Sequence, residues 1–178
     1  CQDAYSKNNL DEAAMLIAND IKNNEDKSSL FSLIESHTVE LNTTSAFKQL
    51  NKRYYEKLSN PDIEIRKTAI EIFSKTKPTD AEIHKALVHA LNDSDSRVKS
   101  AAANALGKIK PTDPEIHKAL AKTLGDMDLD WRVKSAAANA LGKIKPTDPE
   151  IHKVLVHALN DSDSRVRDEV YKALINIK

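Results

Sequence analysis

The 22 residues from Arg97 to Lys118, RVKSAAANALGKIKPTDPEIHK, recur without change from Arg132 to Lys153. An eleven-residue stretch, Val88 to Val98, likewise returns as Val156 to Val166. Ile65-Arg66 aligns with Val98-Lys99, Val133-Lys134 and Val166-Arg167, so the unit advances in steps of 33, 35 and 33 residues. A chain written this way is confined to architectures that stack one supersecondary unit on copies of itself. Everything else in the sequence is read against that period.

Each unit spells two helices. In the first, Val98, Ala101, Ala102, Ala105 and Leu106 fall at i, i+3, i+4, i+7 and i+8, one face of a 3.6-residue helix. Asp95 stands where it can cap that helix, as do Asp62, Asp130 and Asp163 in their copies. Gly107 and Gly142 are expected to end the first helix or its last turn. The second helix opens on Thr112-Asp113-Pro114-Glu115, read as a capping box with Pro in the first turn. The same box returns at Thr147 to Glu150 and, with Ala for Pro, at Thr79 to Glu82. Its apolar face is Ile116, Ala119, Leu120, Thr123 and Leu124. One unit offers too few large apolar side chains to offset the entropy of ordering itself, so units must stack to fold. Helix pairs are predicted at 62–75/80–91, 95–108/113–124 and 130–143/148–159, with a lone helix at 163–176. In that last helix, Glu169 and Tyr171 replace the Ala101 and Ala103 of the earlier copy, which suits a terminal cap.

The run Asp-x-x-Val-Arg/Lys-x-x-Ala-Ala-x-Ala-Leu-Gly-Lys-Ile resembles the first helix of HEAT-like repeats, the short class also found in bilin-lyase-related proteins. The resemblance covers about residues 60–178. It implies an all-α fold, a right-handed α-α superhelix of the HEAT and armadillo kind, without strands. It also implies a polar ladder between repeats, carried over as Asp62, Asp95, Asp130 and Asp163 with Arg66, Lys99, Lys134 and Arg167. Lys in place of Arg at two of these positions removes the bidentate option there.

Residues 10–59 are less regular and read as a helical cap with a degenerate repeat. Helices are predicted over 10–23 (Leu10, Ala13, Ala14, Ile17, Ile21), 28–38 (Leu30, Phe31, Ile34) and 44–58 (Phe47, Leu50, Tyr54, Leu58). Residues 1–9 are polar after Cys1, the sole cysteine. This start resembles a mature bacterial lipoprotein, whose first residue is a lipid-bearing Cys. The implied setting is the bacterial cell envelope, with the chain tethered to a membrane through Cys1. The alternative setting is cytoplasmic, with Cys1 incidental.

Charges balance at 27 basic and 27 acidic residues, which argues against a general nucleic-acid binder. His84, His117 and His152 hold one position in successive units. Helices pack about 8–10 Å apart, whereas zinc needs nitrogens at about 2 Å, so these three cannot share an ion. Asp126-Met127-Asp128-Leu129-Asp130 begins like a calcium loop, but Trp131 stands where Gly is needed and Ala137 where a bidentate Glu is needed. It is read as a turn lengthened by two residues, with Met127, Leu129 and Trp131 folding over helix ends or offering an apolar contact. No catalytic constellation, cofactor motif or small-molecule site emerges, since a single active site has no reason to be copied in register.

The leading reading is therefore a non-catalytic interaction scaffold. A HEAT-fold enzyme, by analogy with bilin lyases or HEAT-fold DNA glycosylases, and a cytosolic adaptor are the alternatives. In HEAT solenoids the second helices line the concave side. The binding face carried over is His84, Lys85, Val88 and His89; His117, Lys118 and Lys122 with Ala121; and His152, Lys153, Val156 and His157. Lys and His heads over small apolar patches favour an acidic protein segment, with attraction that weakens in salt and strengthens as histidine protonates.

Overall fold

The computed structural model describes residues 45–177. The expected tether, Cys1 and the helices at 10–23 and 28–38 lie outside the described residues. Eight helices follow in order: α1 (Ser45–Lys57), α2 (Ile63–Thr76), α3 (Ala81–Ala90), α4 (Ser96–Ile109), α5 (Pro114–Gly125), α6 (Trp131–Ile144), α7 (Pro149–Ala158) and α8 (Ser164–Ile177). No strand occurs among the described residues. The predicted pairs are α2/α3, α4/α5 and α6/α7, with α8 alone, and their ends agree within a residue or two. α1 packs on α2, taking the place of a second helix for the repeat before.

An aspartate starts each helix from α2 to α8. Asp62, Asp95 and Asp130 accept the N–H two residues on in the first helices, and Asp163 does the same for Arg165 at 2.9 Å. In the second helices the cap is Asp80, Asp113 and Asp148, with Pro at the first position of α5 and α7. The expected box is thus shifted by one residue: the Asp carboxylate, not the Thr hydroxyl, satisfies the exposed N–H groups.

Gly107 and Gly142 do not end their helices. They are buried inside α4 and α6, and the left-handed caps are Lys77, Lys110 and Lys145, with φ of 44°, 55° and 59°. Each of these lysines precedes a proline, which already excludes continuation as α-helix. A Cβ on Gly107 would lie 2.8 Å from Ala140 Cα, and one on Gly142 would lie 2.7 Å from Ala173 Cα. Glycine is there because successive first helices meet backbone to backbone.

That close seam widens the buried arc of the first helices. Ala103 and Ala138 are fully buried where the single-face reading leaves them out, while Ala101, which that reading includes, is half-exposed. The core runs unbroken from Tyr54 to Ala173 through Phe73, Leu87, Leu106, Leu120, Leu141 and Leu155. On α5, Ile116, Leu120, Thr123 and Leu124 are buried as expected, and Ala119 is half-buried.

Candidate protein-binding face

Two faces remain once the core is formed. The solvent side of the first helices is a shallow polar surface. Its side chains are largely occupied with one another: Asn139 Nδ2 donates to Glu169 Oε2 at 3.1 Å, and Lys172 Nζ to Glu169 Oε1 at 2.6 Å. Trp131 belongs here and is not a free apolar contact. The Arg165 guanidinium lies 3.6 Å from its ring centroid and Arg132 at 4.9 Å, two cation–π contacts on a half-buried indole. Leu129 is half-buried, and only Met127 of that trio projects, at 91% exposed.

The second helices stand further apart, and clefts open between them. One of about 850 Å³ is lined by Tyr55, Leu58, Arg66, Lys85, His89 and Asp93. Another of about 670 Å³ is lined by Met127, Lys134, Lys153, Val154, His157 and Asp161. Arg66 and Lys134, Lys85 and Lys153, His89 and His157, and Asp93 and Asp161 are equivalent positions two repeats apart. The two clefts are therefore copies of one design.

On the floor of each cleft lies the inter-repeat ladder, with partners other than those expected. Arg66 makes a bidentate pair with Asp93, Nε to Oδ2 at 2.8 Å and Nη2 to Oδ1 at 2.9 Å. Its Nη1 donates to the carbonyls of Asn60 and Pro61. Lys134 Nζ meets Asp161 Oδ2 at 2.7 Å. Arg167 holds its own loop through the carbonyls of Asp161 and Ser162. The carboxylates of Asp62, Asp95, Asp130 and Asp163 lie at their own helix starts, and among the described residues none forms an ion pair with Arg66, Lys99, Lys134 or Arg167. Asp95, Asp130 and Asp163 also hold Arg97, Arg132 and Arg165. In two of the turns the carboxylate two residues upstream, Asp93 or Asp161, is the one aimed at the preceding repeat. The doubled Asp-Ser-Asp was the available signal, since one aspartate suffices for a cap.

Electrostatics follow from these contacts. The side-chain hydrogen bond from Arg97, with the backbone N–H of the same residue, holds the Asp95 carboxyl down at about 2. Arg165 does the same for Asp163, also about 2. Burial raises Asp93 and Asp161, but hydrogen bonds from Arg66 and Lys134 and from backbone N–H groups outweigh it, so both lie below the usual carboxylate value.

The face itself is less free than its composition suggests. His84 Nε2 lies 2.7 Å from the Pro78 carbonyl and His117 Nε2 2.7 Å from the Pro111 carbonyl. A carbonyl only accepts, so these nitrogens carry protons and the rings tie each helix to its incoming loop. His152 uses Nδ1 on the Asp148 carbonyl at 3.1 Å. Lys118 pairs with Glu115 at 2.8 Å and Lys153 with Glu150 at 2.6 Å. Those hydrogen bonds raise both lysines above their ordinary value. Ala121 is buried and Val88 half-buried, leaving Val156 as the exposed apolar residue, at 55%. Among the described residues, Lys85, Lys122, His89 and His157 carry no hydrogen bond or ion pair from their side chains.

Comparison with known proteins agrees with this geometry. A family model for HEAT repeats matches residues 52–128 and 117–178. No curated protein sequence matches the chain. An engineered protein solved by the Northeast Structural Genomics Consortium is 25% identical over 95% of this chain and 79% of its own, with a TM-score of 0.53. A mutant of Kap121p superposes with a TM-score of 0.61 at 16% identity, over 96% of this chain but 21% of that one. A computationally designed armadillo repeat protein for modular peptide recognition gives a TM-score of 0.50 at 19% identity, over 94% of this chain and 82% of its own. The stacked helix pairs, the backbone-close seam and the family match together make this chain a member of the HEAT repeat family, folded as an all-α superhelix.

Proposed function

We propose that the protein is a non-catalytic scaffold that binds another protein along the exposed face of α3, α5 and α7. The observation that carries this reading is the pair of equivalent clefts between second helices, rimmed by Lys85 and His89 in one and by Lys153 and His157 in the other. The partner presents an acidic segment. The pull comes chiefly from Lys85 and Lys122, because Glu115 and Glu150 already neutralise Lys118 and Lys153. Such attraction falls with ionic strength. The scaffold is held at a membrane by lipid on Cys1, a separate element of the proposal that intact-mass measurement of native protein checks.

Photoreactive residues at Val88, Val156 or Lys122 should cross-link the native partner, while the same residue at Lys108 or Lys143 on the first helices should not. Equal cross-linking from both sets would overturn the assignment of the face. Lys134 is no use as a control position, since it is buried and ion-paired.

A further inference from the structure

The ladder has a vacancy in its middle rung. In the first rung the cation of one repeat takes a carboxylate from the next, Arg66 with Asp93. In the third rung, Lys134 takes Asp161. The middle rung has Lys99, identical in sequence context to Lys134 across all 22 residues of the repeated segment. Its carboxylate should arrive from the turn after α5. That turn is the one place where the repeat lengthens, to a step of 35 residues, and α5 itself runs to 12 residues against 10 in α3 and α7. Asp126 Oδ1 accepts the N–H of Asp128 at 3.0 Å, the same turn contact that Asp93 and Asp161 make with Asp95 and Asp163, but among the described residues it forms no ion pair with the preceding repeat. Asp130 caps α6. Among the described residues no carboxylate oxygen lies within 4 Å of the Lys99 ammonium, and the ammonium makes no hydrogen bond, although the side chain is half-buried.

We infer that Lys99 is a binding site for a carboxylate of the partner protein, an Asp or Glu side chain from a segment lying across α3 and α5. This rests on the proposed binding face and names a specific contact within it. Two sister positions in the same fold hold carboxylates, so the geometry of the rung already suits one. The surroundings favour it as well. Where the flanking clefts pair a lysine with a histidine, α5 carries Lys118 and Lys122 at the equivalent positions, with Glu115 engaged by Lys118 alone. The lengthened turn also displays Met127, at 91% exposure, on the rim of the adjoining cleft that holds Lys134.

The test uses the whole protein with lysine labelled at 13Cε and titrated with N-acetyl-aspartate N-methylamide. The asparagine analogue serves as the uncharged control, and a Lys99→Gln variant assigns the signal. The expected result is a Lys99 response that saturates at a concentration at least five-fold lower than that of exposed Lys143, with no response to the asparagine analogue. A Lys99 response no tighter than that of Lys143, or one equal for both analogues, overturns the proposal. So does displacement of the aspartate analogue by an equal concentration of inorganic phosphate. Deleting Asp126 and Met127 restores the 33-residue step and brings Asp128 to the place of Asp93 and Asp161. The Lys99 response should then disappear and the melting temperature should rise, while a retained response overturns the proposal. Cross-linking at Val156 with no carboxylate binding at Lys99 would leave the face standing and remove only this site.

Discussion

Replacing Gly142 by alanine sets two familiar effects against each other with opposite signs. In an exposed helix interior the change stabilises by about 1 kcal/mol, because glycine loses more backbone freedom on folding. At Gly142 the new Cβ would sit 2.7 Å from Ala173 Cα and 3.0 Å from Ala173 Cβ. The nearest atom is backbone, so no rotamer change relieves it, and α8 must move away from α6. Overpacking of this kind costs about 3 kcal/mol at the upper end of the usual range. The net expectation is a loss of about 2 kcal/mol, which in a chain of this size lowers the melting temperature by about 4–8 °C. Gly107→Ala should behave alike, since its Cβ meets Ala140 Cα at 2.8 Å. Gly125→Ala is the internal control: nothing lies within 4 Å of its Cβ and its φ is not positive, so stability should hold or rise slightly. Thermal melts followed by circular dichroism decide it. If Gly142→Ala melts at or above the parent temperature, the seam is looser than backbone contact and the reasoning fails.

Leu120 is fully buried at the centre of α5, so Leu120→Asp should cost several kcal/mol and loosen the neighbouring repeats too; an unchanged dichroism midpoint would contradict this. Acid should weaken the fold through the depressed carboxylates. Their folded values lie below the unfolded 3.8, with Asp95 and Asp163 near 2, so their contribution is complete above the unfolded value and is lost as pH falls from about 4 towards 2. Urea midpoints measured across that window should drop, and Asp163→Asn should flatten the drop. Excising residues 98–132 joins Arg97 to Val133, recreates the Arg-Val junction of the repeat, and should leave a shorter array with undiminished helicity per residue and a lower melting point. A loss of cooperative unfolding in that variant would mean that the units are not interchangeable.

The period, the two helices per unit and their polarity were legible in the sequence because each depends on local chemistry repeated in register. Asp before an apolar periodic run caps a helix wherever it occurs, and Leu120 or Leu106 at 3.6-residue spacing needs a core whatever the neighbour. What the tertiary structure decided is what the neighbour is. Gly107 and Gly142 look like helix stops until the adjacent first helix places Ala140 and Ala173 against them. Asp95 and Asp93 are alike in type, and only the stacking turns one onto its own helix and the other onto Arg66 of the repeat before. His84 and His117 read as groove residues, and the return of the proline loops brings carbonyls to their rings. Lys99 and Lys134 share an identical stretch of sequence, and only Lys134, facing the turn without the two extra residues, meets a carboxylate. Local sequence sets which groups a helix displays, but the identity of their partners depends on contacts between residues some 30 positions apart, where no periodicity along the chain records the geometry.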